Sequence, residues 1–259
     1  MIERQDNIID FGERTELFRA LVGSHNYNLN GPESDKDYKV FVAPTFADLY
    51  FNKQFAKMYV GEKEDLDVHD IRKLESVLWK ANVNFLEILF TKELIINPDI
   101  QPNSKKQIEK IFKNKNKIAK MNLPYLYNAC MGMHLTKLKQ VTKGTEGTKH
   151  LVEKYGYDTK QAMHSVRILD FLKRFADTDF EDFKAAIEYD DYGEDKEILL
   201  GIKNGVYTLE EFNSLALYTK LSVEKELEEK YKQFKPNEEL RQMIIDATKE
   251  IVGEEIFKD

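Results

Sequence analysis

The sequence predicts an α+β protein: a mixed α/β region with a small sheet over residues 1–102, followed by an all-helical region over 103–259. Two observations carry this. Short β-forming runs punctuated by Gly and Pro fill the first hundred residues. From Ser104 onward only Pro124 and Pro236 interrupt long stretches with the helical period. The 259 residues, 42% hydrophobic and 33% charged, are enough for a sizeable core and too apolar for a disordered chain.

In chain order, Leu17–Val22 is an apolar run ending in Gly23-Ser24, and Tyr38–Ala43 is rich in β-formers and stops at Pro44. Phe55–Val60 ends at Gly61, and Leu66–His69 alternates apolar with polar residues as a half-buried strand does. Helices are predicted over Ile71–Lys80 and Asn84–Phe90, then over Ser104–Ala119, Thr159–Phe175, Leu209–Tyr231 and Glu238–Val252. Tyr155-Gly156 and Asn204-Gly205 read as helix stops. Asn82 and Asn84 are turn residues, and Cys130, Met131 and Met133 are core filler.

Composition narrows the setting. The single cysteine, Cys130, excludes an internal disulfide framework and a cysteine-based zinc cluster. No apolar run approaches the roughly 20 residues of a membrane span, and Met1–Asp6 lacks the layout of a secretory leader, so a cytoplasmic protein without membrane contact is expected. The net charge of −7 hides an asymmetry. Residues 103–149 hold eleven lysines against two acids, Glu109 and Glu146, a local +9 that attracts polyanions.

The informative stretch runs from Leu21 to Val40. Gly23-Ser24 follows a strand, where glycine lets a ligand approach the backbone, the next amides can face an anion, and Ser24 adds a hydroxyl. Asp35 and Asp37 stand two apart at the start of a strand, so their side chains leave the same face. Adjacent carboxylates repel one another; a divalent cation removes that penalty, and hard oxygen ligands suit Mg²⁺. Asp67, between Leu66 and Val68, can join them from the next strand as a third metal ligand. A register slip of one residue redirects that face, and Asp65 is then the alternative.

This order (apolar-Gly-Ser, then Ser34-Asp-x-Asp37, then apolar-Asp-apolar) resembles the DNA polymerase β superfamily of nucleotidyltransferases. Gly23-Ser-His-Asn-Tyr27, Glu33-Ser-Asp-Lys-Asp-Tyr38, Asn82-Val-Asn-Phe-Leu-Glu-Ile-Leu-Phe90 and Tyr157–Leu169 are similar to its RNA-repair-associated (RNA-ligase-associated) bacterial and phage branch. Two positions depart from that branch. Tyr27-Asn28 replaces Tyr-Gly, and asparagine tolerates a left-handed backbone. Ala81-Asn82-Val83 replaces Gly-Asn-Pro.

The resemblance implies a polymerase-β-like catalytic domain over 1–102, two Mg²⁺ or Mn²⁺ ions per site, and transfer of a nucleoside monophosphate from a triphosphate to a hydroxyl. Asp35 and Asp37 would bind both metals, and Asp67 the one beside the hydroxyl. Gly23, Ser24, His25 and Ser34 would bind nucleotide; the plain alternatives are a helix cap, an inert histidine and a brace for the turn. Lys160, His164 and Arg167, at i, i+4 and i+7 of one helix, suit a leaving pyrophosphate, or else make ordinary surface ion pairs with Asp158, Glu153 or Asp170. Glu87 is expected to be structural, pairing with Arg72 or Lys73. The lysine-rich segment suits an RNA or DNA 3′ end as acceptor; a small molecule, a protein hydroxyl, or nucleotide binding without turnover are the other functions this architecture allows.

Overall fold

The computed structural model describes residues 10–32 and 34–257. Met1–Asp6 and Glu33, used above, lie outside them. The protein is α+β, with a five-stranded mixed sheet and many helices. The strands are β1 (Glu16–Val22), β2 (Lys36–Val42), β3 (Ala56–Val60), β4 (Glu64–Asp70) and β5 (Leu94–Ile96), in the order β3-β4-β2-β1-β5. Only β2 and β4 run parallel; the other neighbours are antiparallel.

Short helices connect the strands: α1 (Ser24–Tyr27), α2 (Phe46–Tyr50), α3 (Leu74–Trp79) and α4 (Val83–Leu86). The segments Ile71–Lys73 and Glu87–Phe90 are single 3₁₀ turns flanking α3 and α4, so each helix predicted there is shorter than its apolar spacing suggests. Asn28 closes α1 at φ 62°, the left-handed conformation expected of it. Buried Ala81 also has a positive φ, 48°, at the position where the branch carries glycine.

The helical part comprises α5 (Pro102–Lys113), α6 (Lys115–Ala119), α7 (Leu123–Val141), α8 (Lys149–Tyr155), α9 (Thr159–Asp177), α10 (Phe183–Ile187), α11 (Glu194–Lys203), α12 (Leu209–Lys232) and α13 (Glu238–Ile256). The predicted helix over 104–119 is broken at Asn114 into α5 and α6. Among the described residues no helix is long and apolar enough to cross a membrane.

The chain forms two compact units, Met1–Met121 with Asn237–Asp259, and Asn122–Pro236. This division differs from the change in sequence character at residue 102, because α5, α6 and α13 cluster with the sheet. Phe112 of α5 meets Phe18 of β1 edge-on at 5.5 Å. Glu255 of α13 accepts the Gln101 amide (2.9 Å), and Arg241 pairs with Glu75 of α3 (2.7 Å) while lying over Trp79. Helical period marks the type of element; it does not record which body the element packs on.

Both faces of the sheet are used. Leu21, Tyr38, Val40, Val42, Leu66 and Val68 form the core on one face, with Phe11, Phe55 and Tyr59 against them. On the other face Phe18 stacks on Phe41 at 5.0 Å. The second unit is built around α9, thirteen of whose nineteen residues are buried, with α7, α11 and α12 packed on it. Asp158 caps α9 by accepting the Gln161 amide (3.0 Å) and also takes the Thr148 hydroxyl. Of the expected core fillers, Cys130 is fully buried, while Met131 and Met133 are half-buried.

Candidate functional site

Side chains paired across a ladder share a face, so the registers sort one face of the sheet into three rungs. The outer rung reads Val22–Asp37–Asp65–Val60 across β1, β2, β4 and β3. The middle rung is Ala20–Lys39–Asp67–Met58, and the inner one is Phe18–Phe41–His69–Ala56. Asp37, Asp65 and Asp67 therefore belong to one side of the sheet. Asp35 precedes β2 and is exposed; Asp37, Asp65 and Asp67 are half-buried.

Beside the outer rung the chain leaves β1 through Gly23, at φ 71° and ψ −147°. A Cβ there would stand 2.8 Å from Asp37 Oδ2, so only glycine lets the bend and the carboxylate meet. Glu87, 2% exposed, holds the bend from below. Its carboxylate accepts the Gly23 amide (3.0 Å), the Asn26 side-chain amide (3.3 Å) and the Tyr27 hydroxyl. The expected pairing of Glu87 with Arg72 or Lys73 is thus corrected. Arg72 pairs with Asp70 (2.6 Å), and the Lys73 amine lies 3.2 Å from His69 Nδ1.

Ser24 opens α1 and is half-buried. His25, expected as an exposed histidine, is half-buried, with Nε2 2.9 Å from the Ser34 carbonyl. The Ser34 hydroxyl accepts the Gly31 amide (2.9 Å), so His25 and Ser34 brace the loop that leads to Asp35.

The middle rung is electrostatically different. Lys39, 8% exposed, places Nζ 2.6 Å from Asp67 Oδ2 and 4.2 Å from the centre of the Phe85 ring. His69 Nε2 lies 2.9 Å from Asp67 Oδ1. Burial alone would raise the Asp67 pKa. The close His69 contact and the Lys39 charge outweigh it and hold the carboxyl well below the usual range. Asp67 is ionised and tied to two partners, whereas Asp65 accepts the Gly61 amide at 3.3 Å.

Among the described residues no three His, Cys, Asp or Glu side chains stand close enough together to be read as a formed metal cluster. The donor chemistry nonetheless fits a hard cation: Asp37 and Asp65 are neighbours on one rung, Asp35 is two residues from Asp37, and a divalent ion would relieve their mutual repulsion.

Lys160, His164 and Arg167 all lie on α9, in the second unit, at the predicted spacing. Lys160 is exposed and His164 half-buried. Arg167 is 3% exposed, which corrects the reading of this face as an ordinary helix surface. The charges of Lys137 on α7 and Lys203 on α11 also act on His164. Burial first, then Arg167, Lys137, Lys160 and Lys203 push its pKa well below the ordinary value, so the imidazole is neutral at neutral pH. Asp158 and Asp170 are engaged elsewhere, by Thr148 and by Tyr189 respectively.

Sequence reasoning left unassigned Lys39 and His69. The signal was present in Glu64-Asp-Leu-Asp-Val-His-Asp70, whose odd positions are all polar and must share a face. No family model matches the chain, and no curated protein matches it.

Proposed function

We propose that this chain is a metal-dependent nucleotidyltransferase that moves a nucleoside monophosphate from a triphosphate to a hydroxyl acceptor, with pyrophosphate released. The observation that carries the reading is the outer rung: Asp37 and Asp65 level with one another, Asp35 just before them, and a glycine-only bend pressed against Asp37. Asp35, Asp37 and Asp65 would hold the two Mg²⁺ or Mn²⁺ ions. When bound, the ions would supply charge neutralisation for both the attacking and the leaving oxygen.

The chain's own residues position the reactants. The bend at Gly23-Ser24 offers backbone amides and a hydroxyl to the phosphates, and Glu87 fixes its shape. Asp67, engaged by Lys39 and His69, orders the strand beneath the acidic rung. Register favours Asp65 over Asp67 as the third carboxylate, since Asp65 stands level with Asp37 and is not tied to a lysine in contact.

A nucleic-acid 3′ end, with RNA the first choice, is the acceptor favoured by the exposed lysines 105, 106, 110, 113 and 117 of α5 and α6. The reading is tested by incubating the protein with Mg²⁺ or Mn²⁺, labelled triphosphates and single-stranded RNA. Acceptor-dependent pyrophosphate release is expected, and it should vanish in the Asp35→Asn/Asp37→Asn double variant. Undiminished release in that variant refutes the proposal. Release with an aminoglycoside or a protein hydroxyl instead of RNA would move the acceptor to those classes.

A further inference from the structure

We infer that the exposed apolar face of β3, formed by Met58 and Val60, is the shelf on which the acceptor's terminal nucleoside rests. This inference depends on the transferase reading and names the acceptor side of the same site.

The starting observation is positional. Val60 is level with Asp65 and Met58 is level with Asp67, on the same face of the sheet as the carboxylates. Both are unusually open for large apolar side chains, Val60 at 72% and Met58 at 57% exposure. β3 is the last strand of the sheet on this side, so this shelf continues the acidic rung outward. Its other-face residues, Lys57 and Tyr59, are occupied with one another, the Lys57 amine lying 4.4 Å from the Tyr59 ring centre.

The direction of the reaction assigns the shelf. Phosphoryl transfer in line requires the attacking oxygen and the leaving group on opposite sides of the phosphorus. On the transferase reading the phosphates lie at the Gly23-Ser24 bend, beyond β2 on the β1 side of the carboxylates. With the leaving phosphates held there, the attacking hydroxyl must come from the β4–β3 side. The surface met on that approach is Val60 and then Met58.

The chemistry of the shelf selects the occupant. Aliphatic side chains beside carboxylates offer a ligand contact area and no hydrogen-bond code. A nucleobase supplies a flat apolar face, and its ribose hydroxyl can point back toward the next strand, roughly 5 Å away. The β3–β4 turn and the start of β4 carry exposed Glu62, Lys63 and Glu64, a mixed set that offers a phosphodiester backbone no consistent attraction, so contact at this edge is confined to the terminal nucleoside. A polycationic sugar would find no polar partner on the shelf itself.

The test uses the full-length protein with methionine labelled at its ¹³C-methyl group, the Met58 resonance being assigned by Met58→Leu. Adding single-stranded RNA with a free 3′ hydroxyl should shift the Met58 methyl by ring current while methionines of the second unit move less. In turnover, Met58→Ser/Val60→Ser should raise the acceptor KM roughly tenfold, the order expected for one stacked base, without a matching rise in triphosphate KM. Both positions are exposed, and unchanged resonances for the other methionines confirm that the variant is folded.

A Met58 methyl that stays put at saturating RNA, or that moves only with an aminoglycoside, overturns the inference. So does an acceptor KM within twofold of the parent. Absence of any metal-dependent pyrophosphate release is a separate outcome that strikes the transferase reading; the methyl shift still decides whether a nucleoside occupies the shelf.

Discussion

The outer and middle rungs of the sheet face hold the same kind of residue in opposite circumstances. Asp37 and Asp65 sit side by side at the open edge, next to a glycine bend, with no lysine on their rung. One step inward, roughly 7 Å along the strands, Lys39 replaces the first carboxylate and neutralises Asp67, with His69 completing the pair. The second arrangement is what a protein does with a carboxylate it must keep in place. The first sets two carboxylates level with one another on one rung, an arrangement whose donor chemistry suits a divalent cation. Phe85 packs against Lys39 and His69, which are both buried, while Asp67 itself stays half-buried, so the contrast follows from the partners.

Four substitutions sharpen or break this contrast. The largest loss is expected for Lys39→Met, which strips Asp67 of its closest cation. Removing one partner of a buried pair costs about 3–5 kcal/mol, and the partial exposure of Asp67 brings the expectation to about 2–3 kcal/mol. In urea titrations the Lys39→Met/Asp67→Asn double variant should recover most of that loss. A double variant as unstable as Lys39→Met alone would mean that lysine packing on Phe85 matters more than charge.

Gly23→Ala comes next. A left-handed alanine costs about 1–2 kcal/mol, and its methyl would press on the Asp37 carboxylate. Stability should fall by about 2 kcal/mol and metal-dependent turnover should disappear together. Turnover that survives would separate the bend from the chemistry.

Acid titration distinguishes the paired carboxylate. The pKa of Asp67 is depressed in the folded protein, so its contribution is complete above the ordinary aspartate range and is lost as pH falls below about 4. Between pH 7 and pH 3, Asp67→Asn should lose less stability than the parent by about 1–2 kcal/mol, read from denaturation midpoints at both pH values. Equal losses would show that Asp67 is not held down by its partners.

The remaining effect concerns a buried aspartate without such a pairing. In the second unit Asp170 accepts the Tyr189 hydroxyl at 2.7 Å, yet burial first, with Asp195 adding to it, raises its pKa to about 6. The folded state then holds a proton that the unfolded chain has released, so stability falls as pH rises from about 4 through 6. Asp170→Asn should stabilise the protein by about 3 kcal/mol at pH 7 and by nothing at pH 4. Stabilisation at both pH values would point to a packing effect.

Much of the outer rung is legible in the residues. Gly23 after an apolar run, the two-residue spacing of Asp35 and Asp37, and the alternation of β4 all follow from strand periodicity. The left-handed turn at Asn28 follows from the residue type. The choice between Asp65 and Asp67 does not, because positions two apart share a face and only the β2–β4 register says which is level with Asp37. Glu87 bonds the Gly23 bend 64 residues away, a partnership no local pattern encodes. β5 has only three residues, and α2 is a single turn, too short for periodicity to reveal. Arg167 reads as a surface cation on its helical wheel; its burial depends on what packs around α9.

The most direct measurement compares acceptor-dependent pyrophosphate release by Asp65→Asn and by Asp67→Asn, each at saturating Mg²⁺ and at a temperature where both are folded. With the outer rung as the catalytic one, Asp65→Asn should lose about a thousandfold or more in turnover, on the scale of removing a group that stabilises transition-state charge, while Asp67→Asn stays within about tenfold of the parent. The reverse ranking, with Asp65→Asn active and Asp67→Asn silent, would contradict the assignment.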